Sequence, residues 1–143
     1  MADQPVLTQF NLIVADMEAS VAFYRRLGLT IPATVTEWQP HHRGATTPNG
    51  MTLDLDSDAS AGIWDQGWSG NRRMGVLGFS VSSREAVDET YTNLTGAGYK
   101  GEQRPYDASW GARYAIVQDP DGNAVGIMSP IDPARRSAPP PPP

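Results

Sequence analysis

The sequence contains two internal matches that together indicate one structural unit used twice. Residues 48–54 (PNGMTLD) align with residues 120–126 (PDGNAVG) at an offset of 72, which pairs Pro with Pro and Gly with Gly. A second match lies upstream at an offset of 67, and it pairs Leu12 with Phe79, Val14 with Val81, Glu18 with Glu85, Ala19 with Ala86, Tyr24 with Tyr91 and Leu27 with Leu94. Two matches in the same order and with similar offsets constrain the fold more than any single motif does.

The first unit is predicted to have the order β-α-β-β-β. Residues 7–15 alternate between apolar and polar side chains, which is typical of a strand with one packed face. Asp16 is a predicted N-cap, and Gly28 lies where a left-handed residue commonly ends a helix. The rest of the unit is predicted as a strand over 29–37, a polar connection or weak edge strand over 38–47, and a closing strand over 51–56.

The second unit repeats this order and ends in a hairpin. Its helix is predicted to begin at the capping-box spacing of Ser82 and Glu85 and to end at Gly96 or Gly98. The hairpin has strands over 112–117 and 124–128 around the turn DPDGN, in which Pro sets one φ angle and Gly accepts a positive one. The remaining strands are predicted over 74–81 and 99–105.

These patterns predict one α+β domain over residues 1–130, with a tail after it. Its parts are unit one at 6–56, a connector at 57–73 and unit two at 74–130. The connector is rich in Gly and Ser but also carries Trp64 and Trp68, so it is expected to fold back over another part of the chain. The tail, 131–143, ends in five prolines and is expected to be disordered or to form polyproline II.

Composition restricts the class of partner. A formal net charge of −5 argues against a nucleic-acid backbone or an anionic membrane as the main partner. The chain has no cysteine, which excludes a disulfide framework, a zinc–thiolate site and a thiol nucleophile. No stretch has the pattern of a signal peptide or a membrane span, so a soluble cytoplasmic protein is expected.

Two βαβββ units, with FYRRLGL closing the first helix and DPDGN turning the last hairpin, resemble the vicinal oxygen chelate superfamily. That superfamily includes glyoxalase I, bleomycin-resistance proteins and extradiol dioxygenases, and the resemblance covers roughly residues 6–130. It implies a glyoxalase/bleomycin-resistance-like α+β fold in which the two repeats form curled sheets around a ligand cup. It also implies a homodimer, because members of the family commonly dimerise.

Enzymes of this family hold a divalent metal on the first and last strands of each unit, and the resemblance assigns these positions to four residues of this chain. They are Gln9 and Asp54 in unit one, and Val76 and Gly126 in unit two. Val76 and Gly126 have no side-chain ligand atom, whereas divalent metals in such sites require several carboxylate or imidazole ligands. No metal is therefore predicted, and no other cofactor.

The two histidines are the remaining source of a metal ligand. His41 and His42 are adjacent, so on a strand they would point to opposite faces and could not chelate one ion together. One of them could face the cup and join Asp54, which would give a divalent-metal site of an atypical kind. The alternative is a solvated or hydrogen-bonded loop histidine, and this is the preferred interpretation.

The predicted ligand-binding residues are aromatic walls and polar groups around the cup. Flat aromatic rings suit planar ligands and attract cations. Arg113 and Tyr114 are neighbours on a strand, so only one of them should point inward. Asp54 is also the candidate catalytic residue, with a solvated strand-end carboxylate as the alternative. The full set is Gln9, Asn11, Trp38, Asp54, Trp64, Trp68, Trp110, Arg113 and Tyr114.

Two hypotheses for function follow. The first is a metal-free protein that binds a small planar or cationic organic molecule in an aromatic-lined cup. The second is an enzyme, either a metal-dependent lyase or dioxygenase, or an acid–base isomerase or cyclase that uses Asp54. We favour the first because the family's ligand set is incomplete and no replacement catalytic pair is apparent in the sequence.

Overall fold

The computed structural model describes residues 9–64, 70 and 76–138, and the side chain of Trp64 is not among the described groups. The chain divides into two compact units, Met1–Arg72 and Arg73–Pro143. The prediction for Trp68, residues 65–69 and 71–73 of the predicted connector and the last five prolines lie outside the described residues. Within them, no helix is long and apolar enough to cross a membrane.

In its described residues, unit one consists of a three-stranded sheet and two helices. The strands have the order β1-β3-β2, with β1 parallel and β2 antiparallel to β3. A short 3-10 turn, Thr36–Trp38, precedes β2. The elements are β1 (Gln9–Ile13), α1 (Met17–Arg26), β2 (His42–Thr46), β3 (Thr52–Asp56) and α2 (Asp58–Trp64).

The described part of unit two has a four-stranded sheet and one long helix. The strand order is β4-β7-β6-β5, with β4 parallel to β7 and the other two pairings antiparallel. A second 3-10 turn, Pro133–Arg135, follows the last strand. The elements are β4 (Val76–Ser80), α3 (Arg84–Gly96), β5 (Gly101–Asp107), β6 (Arg113–Gln118) and β7 (Ala124–Met128).

The strand registers confirm the internal repeat. In unit one Gln9 lies opposite Thr52, and in unit two the residues at offsets 67 and 72, Val76 and Ala124, lie opposite each other. The hairpins agree in the same way: His42 pairs with Asp56, and Tyr114 pairs with Met128, at an offset of 72 for both partners. The predicted α+β fold built from a repeated unit is therefore confirmed.

The strand predicted over 29–37 is wrong, and unit one has three described strands where four were expected. Residues 29–35 have no regular secondary structure. Arginine side chains bind the carbonyl groups that a sheet ladder would need: Arg25 donates to the carbonyl of Ile31, and Arg43 Nε donates to that of Pro32 at 3.2 Å. Pro32 also lacks the N–H that a ladder requires.

The start of α3 also differs from the prediction. The N-cap is Ser83, whose hydroxyl accepts a hydrogen bond from the backbone N–H of Ala86 at 3.1 Å. Ser83 lies 67 residues after Asp16, the N-cap of α1, so the repeat already identified the correct serine. The end was predicted correctly, because α3 ends at Gly96 and Gly98 has a φ of +98°.

Because Ser83 and not Ser82 is the N-cap, mutation of the two neighbouring serines should have different effects on stability. Ser83→Ala is expected to lower the free energy of unfolding by about 1 kcal/mol, because it leaves a backbone N–H of the first turn without its partner. Ser82→Ala, at the exposed neighbouring position, is expected to change it by less than about 0.5 kcal/mol. Urea denaturation of both variants measures the difference, and equal losses would contradict the assigned cap.

The sheet of unit one packs one face into the core and carries polar side chains on the other. Alternate residues of β1 and β3 are buried, among them Leu12 and Leu55, each at 1% exposure, and α1 adds Val21 and Tyr24 to the same core. Because side chains alternate between the faces of a strand, the residues between them on β1 and β3 lie on the opposite face. That face forms the candidate site.

Candidate ligand-binding site

A pocket of about 540 Å³ lies on the polar face of unit one. The residues that line it come from β1, β2, β3, α2 and the segment before β2. They are Gln9, Asn11, Thr34, Trp38, His42, Asp54, Asp56, Ser60 and Ile63. Seven of these nine side chains are polar, so the pocket is suited to a small molecule with hydrogen-bonding groups.

Asp56 is the centre of the hydrogen-bond network in this pocket. It is 1% exposed. Asn11 Nδ2 donates to its Oδ2 at 2.9 Å, while His42 Nδ1 and Ser60 Oγ lie 2.8 and 3.2 Å from its Oδ1. Gln9 Nε2 extends the network by donating to Asn11 Oδ1 at 2.7 Å. Three polar contacts on one buried carboxylate are what an acid needs to be buried without loss of stability.

The contact between His42 and Asp56 forms a histidine–carboxylate pair. The ring of His42 is 44% exposed while Asp56 is buried. No pair of this kind is apparent in the sequence, whereas the structure places one in the same pocket as Asp54. His41 is different, since its Nδ1 lies 2.8 Å from Ser57 Oγ, as a hydrogen-bonded loop histidine should.

Asp54 is the second carboxylate of the pocket, and it lacks the partners that Asp56 has. Among the described residues, no group donates a hydrogen bond to it. Burial raises its pKa above 3.8, the nearby His42 lowers it and the nearby Asp56 raises it. The opposing residue on β2 is Gly44, where a Cβ would lie 2.9 Å from Asp54 Oδ1. The glycine thus leaves room for the carboxylate against the sheet.

The raised pKa of Asp54 predicts a stability change with a definite sign. Ionising Asp54 costs more free energy in the folded chain than in the unfolded one, and this cost is fully present above the raised pKa and absent well below 3.8. Asp54→Asn is therefore expected to raise the free energy of unfolding at pH 7. The two proteins should become equal near pH 3, as denaturant titrations at both pH values would measure. A loss of stability at pH 7 would contradict this account.

Two apolar side chains stand at the edge of the pocket. Trp38 is 46% exposed and Ile63 is 73% exposed. The Trp38 ring meets the His41 ring edge to face, with 6.2 Å between their centroids. A broad exposed ring beside polar groups gives a planar ligand a surface to stack on.

The equivalent face of unit two carries a cluster of aromatic rings. At an offset of 72, Trp110 corresponds to Trp38 and Tyr114 to His42. Their ring centroids are 5.5 Å apart, and Tyr106 lies 6.5 Å from Trp110 and 6.2 Å from Tyr114, with all three contacts edge to face. Trp110 Nε1 lies 3.3 Å from the sulfur of Met128. The first of these repeated positions is thus a tryptophan in both units, whereas the second is a histidine in unit one and a tyrosine in unit two.

This aromatic cluster determines whether the family's metal could fit. A Cβ on Gly126 would lie 2.6 Å from Tyr114 Oη and 3.1 Å from Val76 Cγ1. The space at the two expected ligand positions of unit two is thus filled by a ring and an isopropyl group. No group of three or more His, Cys, Asp or Glu side chains within the described residues is placed to hold a metal ion. The residues present do not fit the family's metal site.

Arg113 points away from this cluster, as the alternation with Tyr114 predicts. Its Nε donates to Asp88 Oδ1 on α3 at 3.0 Å, and its Nη1 donates to Asp107 Oδ1 at 3.3 Å. The hydrogen bond to Asp88 is the main reason that the pKa of Arg113 is raised. This network joins the sheet of unit two to its helix, which is a structural role.

The structure thus brings four of the nine predicted ligand-binding residues together in one pocket: Gln9, Asn11, Trp38 and Asp54. Trp110 and Tyr114 lie in the aromatic cluster of unit two, and ligand binding by either group stays a prediction. The other pocket residues were not among the predicted ligand-binding residues, and His42 and Asp56 matter most of these. The sequence left open that one histidine faces the cup beside Asp54, and the structure places His42 there. The repeat could have found His42, because it is the counterpart of Tyr114, which was predicted.

Comparisons with known proteins agree with the fold. A model of the Glyoxalase/Bleomycin resistance protein/Dioxygenase superfamily matches residues 6–127. The chain is also 35% identical over 129 residues to the uncharacterized protein YraH of Bacillus subtilis (strain 168), an alignment that covers 85% of this chain and 95% of YraH.

Solved structures with the same fold include enzymes of this class. A glyoxalase-related enzyme from Fulvimarina pelagi is 22% identical, with a TM-score of 0.75 over 89% of each chain. A lactoylglutathione lyase from Agrobacterium tumefaciens is 19% identical, with a TM-score of 0.68 over 90% of this chain and 96% of its own. At these identities the likeness concerns the fold and not the reaction.

Proposed function

Since the chain belongs to the Glyoxalase/Bleomycin resistance protein/Dioxygenase superfamily, we propose that its unit one pocket binds a small planar organic cation without a divalent metal. The observation that carries this proposal is Asp54, a partly buried carboxylate in the pocket that accepts no hydrogen bond from any described residue. A cation with N–H donors would supply the partner that this carboxylate lacks.

The charges around the pocket favour a cation over an anion. Its ionisable side chains are Asp54, Asp56 and His42. Asp56 already has three polar contacts, so Asp54 is the acceptor that remains open. An anion would have to approach two carboxylates in a partly enclosed space, where like charges repel more strongly than in water.

The shape of the pocket favours a planar ligand. The exposed ring of Trp38 stands beside the polar floor that β1 and β3 form. A flat cation can stack on this ring while its donors reach Asp54, and the indole ring attracts positive charge as well. The ligand-binding role of Gln9 would be to offer its amide oxygen at the rim, because its Nε2 already donates to Asn11.

Benzamidinium is a suitable first probe because it joins a flat ring to a two-pronged donor group. We expect it to bind in buffer that contains EDTA, with quenching of tryptophan fluorescence and an increase in melting temperature. Benzamide has the same shape without the charge and should bind more weakly, and benzoate should not bind. Equal binding of all three molecules, or a requirement for added metal, would contradict the proposal.

The role of Asp54 predicts a large loss of affinity on mutation. A hydrogen bond between charged groups contributes about 1.5–3 kcal/mol, so Asp54→Asn should weaken benzamidinium binding by roughly 10- to 100-fold. Asp58→Asn removes the same charge from an exposed position of unit one and should leave the affinity nearly unchanged. If both variants bind benzamidinium as tightly as the original chain does in fluorescence titrations, Asp54 is not the group that binds the cation.

A further inference from the structure

We propose that His42 is a proton acceptor in this pocket, and that Asp56 positions it. In this inference His42 Nε2 takes a proton from a hydroxyl or activated C–H group of the organic cation held at Asp54. The inference rests on the proposed function, because it needs a molecule bound beside Asp54. Its consequence is that the pocket can carry out acid–base chemistry as well as binding.

The hydrogen bonds around Asp56 select one tautomer of His42. Asn11 Nδ2 is a donor to Asp56, and Ser60 Oγ donates to it as well. A carboxylate that accepts these bonds is an acceptor for His42 Nδ1 too, so Nδ1 carries the hydrogen. In a neutral imidazole the other nitrogen, Nε2, then has a free lone pair.

The position of the ring leaves that lone pair available. His42 lines the pocket and its side chain is 44% exposed. Among the described residues, Nε2 has no hydrogen-bond partner. Asp56 is 1% exposed and is bonded to β1 and α2 as well as to His42, so it can hold the ring in one orientation. A buried carboxylate that orients an imidazole is the arrangement that general bases commonly use.

The charged groups that face His42 in the pocket are carboxylates. The ionisable groups that face it from β3 are Asp54 and Asp56, both carboxylates, and β1 contributes the neutral amides of Gln9 and Asn11. Within the described chain, the basic neighbour on β2, Arg43, is engaged with Glu18 and with the carbonyl of Pro32. The imidazolium formed in the step would thus lie in the same pocket as two carboxylates.

The step balances without any other reactant. The bond between hydrogen and its O or C atom breaks, the electron pair stays on that atom, and the hydrogen forms a bond to His42 Nε2. The imidazolium is then paired with Asp56. Return of the same proton to a different atom of the bound molecule would yield an isomer, so the reaction class is proton-transfer isomerisation of an organic cation.

Unit two has no such pair at the equivalent positions, where Tyr114 and Met128 replace His42 and Asp56. The chain has two histidines, and His41, whose ring is bonded to a serine hydroxyl, is a built-in comparison for His42. Diethyl pyrocarbonate acylates an unprotonated imidazole nitrogen. Mass spectrometry of the treated protein can report its rate at each histidine separately.

We expect His42 to be acylated several-fold faster than His41 in the original chain, and benzamidinium to protect His42 alone. Asp56→Asn should reduce the rate at His42 while leaving His41 unchanged. Nitrogen NMR of the original protein should show neutral His42 with hydrogen on Nδ1, and this preference should be lost in Asp56→Asn. A purely structural Asp56 would not alter the tautomer.

The outcomes separate the two proposals. If benzamidinium binds but His42 carries its hydrogen on Nε2, or is acylated no faster than His41, the inference is wrong and the binding function stands. If His42 is reactive but benzamidinium neither binds nor protects it, the binding function is wrong, and with it the substrate class inferred here. Should Asp56→Asn fail to fold, the tautomer and the two rates in the original chain still decide the inference.

Discussion

Asp56→Ala is expected to lower the free energy of unfolding by about 3 kcal/mol, more than a typical single substitution does. Asp56 is 1% exposed and accepts hydrogen bonds that link β1, β2 and α2 to β3. The alanine would leave the Asn11 amide and the Ser60 hydroxyl without their acceptor in a mostly buried site. Each lost partner costs about 1–3 kcal/mol, which water entering from the pocket partly offsets.

The matched control is Asp54→Ala, on the same strand and the same face. Asp54 accepts no hydrogen bond from the described residues, and its ionised form is itself a cost at neutral pH. Its removal should therefore change the free energy of unfolding by less than about 0.5 kcal/mol in either direction. Ser60→Ala removes one of the donors to Asp56 and should fall between the two. Urea denaturation of the three variants measures the order. If Asp54→Ala were the most destabilising, the assignment of a supporting carboxylate and a free carboxylate would have to be reversed.

Gly126→Asp is expected to destabilise unit two by about 3 kcal/mol and to create no metal site. This substitution places a carboxylate at the last ligand position that the family resemblance implies. A Cβ there would lie 2.6 Å from Tyr114 Oη, and the Tyr114 ring is held by edge contacts with Tyr106 and Trp110. Overpacking of this kind typically costs about 1–3 kcal/mol, and the buried charge adds to that cost.

Gly78 offers a control in the same sheet. It lies directly opposite Gly126 in the strand register, yet a Cβ on Gly78 meets nothing within 4 Å. Gly78→Asp should therefore be tolerated much better than Gly126→Asp in a thermal or chemical denaturation experiment. Tight Ni²⁺ or Mn²⁺ binding by a fully stable Gly126→Asp variant would contradict both expectations. It would show that the Tyr114 ring can move aside and that one substitution is enough to create a metal site.

The parts of the fold that the sequence predicted are those that local chemistry determines. The DPDGN turn formed as predicted: Asp119 Oδ1 accepts from the backbone N–H groups of Asp121 and Asn123, and Gly122 has a φ of +82°. The segment at 29–37 could not be predicted in the same way. Its β-branched residues favour a strand, but Arg25 and Arg43, which lie outside the segment, bind its carbonyl groups. Side-chain contacts of this kind are not visible in a local pattern.

The candidate site also has features that the sequence predicts and features that it does not. Strand alternation and the repeat place Gln9, Asn11 and Asp54 on one face, and the structure agrees. Alternation also puts Asp56 with Asp54, but the sequence does not tell which of two equivalent carboxylates receives the hydrogen bonds. That depends on Asn11 and Ser60, which lie 45 and 4 residues away along the chain. The reactive feature of the pocket, an oriented His42, follows from this choice and needed the structure.

Asp56 and Asp54 have opposite effects on the stability of the fold. Asp56 stabilises the fold, whereas burial without a partner makes the ionised form of Asp54 a cost that the folded chain carries at neutral pH. Groups held at such a cost are common where a protein binds or reacts with another molecule. The repeat supports this interpretation, because the counterpart of Asp54 in unit two is a glycine covered by an aromatic ring.

The most direct test of this account is an NMR titration of the Asp54 carboxyl carbon with and without benzamidinium. In the free protein the pKa should lie above 3.8, because burial disfavours the charged form. Saturation with benzamidinium should lower it, since a cation favours the carboxylate, and Asp54→Asn should remove the titrating signal. A pKa of Asp54 that is not raised in the free protein, or that does not change when benzamidinium is added, would contradict the central claim that this carboxylate is the cation-binding group of the pocket.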